Sequence, residues 1–372
     1  MNELSFSQTP HDQPEVNIPQ LNRQGYAFLK QGLYTEALIC FRSITEASPE
    51  NKFALVGIGD SYRKQQRFNE AIPYYQRCLK THPQNNFALF GLADSYQSLK
   101  QYRRAIEVWE TYLTLDDRNV TVLTRVGDAY RKVMDKEKST AMYRQVLAIE
   151  PANAFATIGL AHLYYDSHEY REAMQYWLQM VEQYGPGVNI RVLTSLGNCH
   201  RKLRSFEAGV PWFRNALERE ANNFYALFGL ADCFRGLDKP TESLDCWNRI
   251  LAGDPGNKSI LTRAADAYRK IGSQEKAFEY YQRVLQNSFD PYALRGSASI
   301  LLDQGKLVAA VQSLEQLIER APQFQRSYPD LLACYIQIGN RSGAELLCQK
   351  FEKLGKVIEP VKQQMTELSQ QL

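Results

Sequence analysis

This sequence predicts an all-α protein built as one elongated stack of helical hairpins. Two observations lead there. A pattern of small, aromatic and proline residues returns every 34 positions, and the apolar spacings inside each period suit short helices. Proline stands at Pro49, Pro83 and Pro151, with Asp117 in the one vacant slot. Twenty-four residues before each comes a small residue (Gly25, Gly59, Ala93, Gly127), with Phe28, Tyr62, Tyr96 or Tyr130 three residues later. A second small residue (Ala37, Ala71, Ala105, Ser139) follows, and four further on an aromatic (Phe41, Tyr75, Trp109, Tyr143).

Taken in order within one period, Leu55, Ile58, Gly59 and Tyr62 share one stripe of a first helix, which must be buried. A turn near Arg67 and Phe68 leads to a second helix, with Ala71, Tyr75 and Cys78 on one stripe, and Pro83 stops it. Gly59 and Ala71 let the two helices approach while the aromatics fill the space beside them. One hairpin cannot bury both of its faces, so neighbouring hairpins supply the missing half of each core. The 372 residues, which could have made two or three globular domains, are expected to form one stacked domain instead.

These residues resemble the tetratricopeptide repeat family, whose apolar, Leu-Gly, Tyr, Ala, aromatic and Pro pattern stands here as Leu55, Ile58-Gly59, Tyr62, Ala71, Tyr75 and Pro83. The resemblance implies a right-handed superhelical solenoid. Ten repeats begin near residues 18, 52, 86, 120, 154, 190, 224, 258, 291 and 325, covering 18–356. The ninth drifts, with Leu301 and Leu314 in aromatic slots; in the tenth Leu332 replaces the small residue, though Ala344 survives. The register slips by a two-residue insertion at Tyr184–Gly187 and a one-residue deletion before Asp290. The insertion is read as a longer loop or as a hinge at 184–189. Residues 1–17, with Pro10 and Pro14 among polar side chains, are expected to be a disordered tail. Residues 357–372, with Val361, Met365, Leu368 and Leu372 on one stripe, are expected to be a capping helix, with a dimerisation helix as the alternative.

A second stripe on the first helices, at positions two, five, six, nine, twelve and thirteen of each repeat, is not explained by core packing within the hairpin. In the family this face lines the concave groove where ligands lie. Position nine holds Asp60, Asp94, Asp128, Asn198, Asp232 and Asp266, with His162 in the fifth repeat. Position twelve holds Arg63, Arg131, Arg201, Arg235 and Arg269, three residues on and so within pairing reach. Arg125 and Arg263 add a cation at position six. Even-numbered repeats carry Lys64, Lys132, Lys202 and Lys270 beside their arginines, whereas odd ones offer Phe87, Phe90, Phe155, Tyr225, Phe228 and Tyr292. The pattern around Asp94 and Arg125 returns 138 residues later around Asp232 and Arg263, as though a block of four repeats had been duplicated.

Read blandly, the acidic and basic residues form solvated ladders, each pair contributing a few tenths of a kcal/mol. Read functionally, wet aromatics beside arginines mark an interaction face. The expectation is a non-catalytic scaffold or adaptor that binds a protein or peptide bearing acidic and apolar residues. The family's carboxylate clamp, which needs Lys at position five and Asn at position nine, is not expected, because position five holds Val56, Phe90, Thr124, Ile158, Thr194 and Phe228.

A net charge of +3 gives no argument for nucleic acid, and the acidic residues at position nine argue against a phosphate track. An RNA-binding helical-repeat protein is the alternative. A third is a subunit of a glycosyltransferase system; enzymes of that kind add a large domain after such an array, and 16 residues follow residue 356. No P-loop, GxGxxG, HExxH or GxSxG motif occurs, and the five histidines form no constellation, so no enzyme, metal or cofactor is expected. No apolar run is long enough to span a membrane and no signal-type leader is evident, so a cytoplasmic location is expected. The seven cysteines form no CxxC pair and are expected to stay reduced.

Overall fold

A computed structural model of the protein describes residues 17–286, 288–355 and 357–371. The expected tail therefore lies outside the described residues except for Asn17, as does Leu372 of the expected capping stripe. Among the described residues the fold is all α-helical, without strands. The chain divides into two compact units between Pro186 and Gly187.

The first unit is a run of antiparallel helix pairs: α1 (Ile18–Gln31) with α2 (Tyr34–Ala47), α3 (Lys52–Lys64) with α4 (Phe68–Thr81), and α5 (Asn86–Ser98) with α6 (Tyr102–Leu113). They are followed by α7 (Val120–Lys132) with α8 (Lys136–Ile149), and α9 (Ala154–Asp166) with α10 (Tyr170–Tyr184). The Gly-Pro-Gly stretch, Gly185–Gly187, is a short 3-10 turn. The second unit continues with α11 (Ile190–Lys202) and α12 (Phe206–Arg219), α13 (Phe224–Gly236) and α14 (Pro240–Gly253), and α15 (Lys258–Lys270) and α16 (Gln274–Leu285). Then come α17 (Pro291–Asp303) and α18 (Leu307–Arg320), α19 (Ser327–Gln337) and α20 (Arg341–Glu352), and last α21 (Glu359–Ser369). Within each unit the two helices of a hairpin pack on each other, and the second helix of each hairpin packs on the first helix of the next. The last helix lays Val361 and Met365 against α19.

Local chemistry sets the helix ends. Asn51, Asn85, Asn119, Asn153, Asn189, Asn223 and Asn257 each cap a first helix by accepting a backbone N–H of its opening turn, and Asp290 does so for α17. Each hairpin turn needs one residue with positive φ. That residue is Gly32, Gly272, Gly305 or Gly339 in four repeats, but Gln66, Lys100, Met134, His168, Arg204 or Asp238 in the other six.

Between hairpins the packing device is a ring seated on glycine. Tyr75 lies so close to Gly59 of its own repeat and Gly91 of the next that a Cβ at those positions would fall 2.6 and 2.2 Å from its ring. Tyr143 relates likewise to Gly127 and Gly159, and Phe213 to Gly197 and Gly229. Position six, placed above on the non-core face, is therefore core wherever it is glycine. It receives the aromatic of the preceding repeat, a contact invisible within one hairpin. Where that aromatic is Trp109 or Trp247, position six of the next repeat is Arg125 or Arg263 instead.

Candidate interaction face

The acidic and basic residues of the first helices are tied together across repeats. In the first unit the Tyr75 hydroxyl donates to Asp60 at 2.8 Å, and Arg63 donates to the same carboxylate oxygen at 3.0 Å. A second nitrogen of Arg63 reaches Asp94 of the next repeat at 2.8 Å, and Arg125 of the repeat after that meets Asp94 at 2.7 Å. The second unit reproduces this chain 138 residues on. Arg201 donates to Asn198 at 3.1 Å and to Asp232 at 2.9 Å, and Arg263 meets Asp232 at 2.8 Å. Arg235 brings a third guanidinium to Asp232 at 3.1 Å, leaving the aspartate 6% exposed.

The pairing expected from three-residue spacing is thus present at Asp60–Arg63 and Asp232–Arg235 and loose, at 3.9 Å, for Asp128–Arg131. What spacing along one helix could not show is the step to the neighbouring repeat. Arg131 makes its short bond, 2.6 Å, to Asp166 of the next repeat. In Tyr75, Tyr143 and Tyr281, burial and then the adjoining Asp60, Asp128 or Asp266 push the hydroxyl pKa up, so each remains a donor to its aspartate.

The aromatics separate into two groups. Phe87, Phe155, Tyr225 and Tyr292 stand 76%, 74%, 71% and 64% exposed. Phe90 and Phe228 are half-buried, edge-on to Trp109 and Trp247 at 5.0 and 5.3 Å, with the Arg125 and Arg263 guanidinium groups over them at 5.7 and 4.9 Å. Arginine here braces the ring and is braced by it. Lys64, Lys132 and Lys202 point to solvent. His162 lies edge-on to Trp177 at 5.0 Å, and burial followed by the nearby Arg131 charge lowers its pKa. All seven thiols are free; burial pushes those of Cys199 and Cys233 up to about 12, which keeps them as unreactive thiols. Among the described residues no group of three or more His, Cys, Asp or Glu side chains could hold a metal ion.

The second unit also contains a cleft of about 780 Å³. Its walls are the C-terminal end of α13, the start of α14, the C-terminal half of α15, residues 292–299 of α17, the segment Gln323–Arg326 ahead of α19, and Ile358 ahead of α21. The backbone N–H of Ile358 donates to Gln325 Oε1 at 2.8 Å, pinning those last two walls together. Tyr292 and Phe324 form a T-shaped pair at 5.0 Å on its rim. Of this lining, Arg235, Arg263, Asp266, Arg269, Lys270 and Tyr292 were expected on the groove face, whereas Arg295 and Arg326 were not, because the ninth and tenth repeats depart from the periodic pattern.

Comparison with known proteins agrees with the helical hairpins and their packing. The tetratricopeptide repeat family model matches residues 22–86 and 56–120, and a second model of the same description matches residues 259–291. Tetratricopeptide repeats are thus present in the matched stretches of this chain. A curated relative, the probable UDP-N-acetylglucosamine–peptide N-acetylglucosaminyltransferase SPINDLY of Hordeum vulgare, is 27% identical over 33% of this chain and 13% of its own. The tetratricopeptide repeat-containing protein trd-1 of Caenorhabditis elegans is 24% identical over 35% of this chain and 17% of its own. The chain thus spans less than a fifth of the length of either relative. Among solved structures, the C-terminal part of a repeat-containing protein from Cytophaga hutchinsonii aligns with a TM-score of 0.55 at 13% identity, covering 65% of this chain and 98% of that one. That likeness concerns the fold. In the described residues no helix is long and apolar enough to cross a membrane.

Proposed function

We propose that this protein is a non-catalytic interaction scaffold that grips a peptide or partner helix along its first-helix faces. The observation that carries this is the set of wet aromatics, Phe87, Phe155, Tyr225 and Tyr292, standing on a face whose arginines are already held in place by cross-repeat bonds. Aromatic area left in water is costly in a monomer and is what an interface uses as anchors. The ladder contributes preorganisation: its guanidinium and carboxylate groups lose little freedom on binding. Ladder arginines are poor choices for a test, because reversing Arg131 would break its bond to Asp166 and disturb the stack.

The test uses the aromatics. Immobilised full chain is expected to capture a reproducible set of proteins from a lysate, and the combined Phe87→Ser, Phe155→Ser, Tyr225→Ser variant to lose them while keeping its far-UV circular dichroism and melting temperature. Unchanged capture by that variant would refute the proposal. Recovery of RNA in place of protein would favour the alternative, and release of sugar from UDP-N-acetylglucosamine by the purified chain would favour an enzyme.

A further inference from the structure

The two compact units derive their faces from the same duplicated pattern, yet they treat one location differently. In the first unit Arg131 is tied to Asp166 at 2.6 Å, and the neighbouring position is taken by the His162 ring, edge-on to Trp177. The counterparts in the second unit are Arg269, Asp303 and Ser299. Ser299 lines the cleft where His162 would bring a ring. Asp303 is turned to Gln274, accepting from its side-chain amide at 3.3 Å. Arg269 is left beside the Tyr281 hydroxyl, with no carboxylate partner among the described residues. Two further substitutions push the same way: Arg235 and Arg295 line the cleft where the first unit has Gln97 and Ile158.

Charge matching then narrows the ligand. Among the described residues six cations line the cleft: Arg235, Arg263, Arg269, Lys270, Arg295 and Arg326. Four carboxylates line it or bond to these cations. Asp232 answers Arg235 and Arg263, Asp238 answers Lys270 at 2.5 Å, Asp330 answers Arg295 at 3.0 Å, and Asp266 takes the Tyr281 hydroxyl. Two positive charges remain in excess, and the arginines without an ion-pair partner among the described residues are Arg269 and Arg326. Two guanidinium groups lining one cleft without a carboxylate partner among the described residues, with the exposed Tyr292 ring at its rim, match a dianionic group carried on an apolar peptide frame.

We infer that this cleft of the second unit is an anion-recognition site for a peptide, seating either a pair of adjacent carboxylates or one phosphoryl group. The inference rests on the scaffold reading and adds to it the location and the charge of the segment recognised. Both ligand sources supply the same chemistry, several acceptor oxygens with two negative charges, and the test separates them.

Fluorescence anisotropy on the full chain would use labelled peptides with a common leucine-flanked frame and three centres: two glutamates, one phosphoserine, or two serines. One or both anionic peptides are expected to bind and the diserine peptide not to; which of the two binds identifies the source. Combining Arg269→Ala with Arg326→Ala should weaken binding by about tenfold or more. Ser299→His, which installs the first unit's residue without changing charge at neutral pH, should weaken it by occupying the cleft. Lys80→Ala, on the exposed side of the second helix α4 in the first unit, should leave binding as it is, and circular dichroism melting of each variant establishes that the fold is intact. The cleft assignment is overturned if the diserine peptide binds equally well, if the arginine variant binds as wild type does, or if Lys80→Ala is the variant that fails. It is also overturned if an oligoadenylate probe binds more tightly than either anionic peptide. Failure of all three peptides to bind, with lysate capture still dependent on the aromatics, refutes the cleft and leaves the scaffold standing.

Discussion

Met134 illustrates how much of this chain is decided one residue at a time. It sits in a hairpin turn at φ 63°, a conformation in which a side chain crowds the backbone, and it is 70% exposed, so its side chain recovers little by packing. Four other repeats place glycine at the equivalent position. Met134→Gly should therefore stabilise the protein by up to about 1 kcal/mol, the relief of left-handed strain less the greater freedom glycine has when unfolded. A rise in the urea midpoint without a change in slope would confirm it, and a fall would show that the side chain matters in a way its exposure hides. This turn position was legible in the sequence only as a gap between two helical stripes, because Gln66, Lys100 and Met134 carry none of the usual turn chemistry. The caps were more accessible than that: asparagine one residue ahead of each of the first eight repeats is periodic, but it lies outside the apolar pattern used to count the repeats.

At the scale of the helix, the lesson concerns what periodicity along one element can and cannot disclose. Leu55, Ile58 and Tyr62 are buried because spacing dictates it, and that part of the fold was readable without coordinates. The seating of Tyr75 on Gly91 and the bond from Arg63 to Asp94 join residues of different hairpins, whose relative height no single-helix pattern fixes. Asp232 is the strongest case, since three helices, α11, α13 and α15, each send it a guanidinium. Removing it with Asp232→Ala should cost about 1–3 kcal/mol, less than for a fully buried pair because its arginines can partly rehydrate. Glu345→Ala, which removes a 58% exposed partner of Arg341 within α20, should leave thermal unfolding unchanged. Equal loss in the two variants would mean that the ladder does not hold successive first helices together. The same distinction explains why the candidate face was only partly legible: Phe87 and Phe90 look equivalent in sequence, yet the latter packs edge-on to Trp109 and the former does not.

Across the whole molecule, stability should be read as a sum over neighbouring repeats within each compact unit. Gly229→Ala tests this, since the added methyl would lie 2.2 Å from the Phe213 ring and force α12 and α13 apart, costing about 1–3 kcal/mol. Hydrogen exchange should then accelerate in α11 to α14 and stay as in wild type in α1 to α6. Acceleration throughout would show that the chain opens as one body. The repeat count and order of helices were available from the sequence because each hairpin announces itself. The division at Pro186 was visible only as two inserted residues, and the cleft not at all, since Arg326 and Ile358 come from stretches that follow no period.

The rings wedged between consecutive glycines carry a last implication for how such a chain can change length during evolution. Tyr75 fits only if Gly59 and Gly91 arrive at matched heights, so gain or loss of material inside a hairpin would unseat rings on both sides. Viable insertions and deletions are thereby confined to whole 34-residue steps or to the links between hairpins, which is where this chain's two irregularities, after Tyr184 and before Asp290, are found.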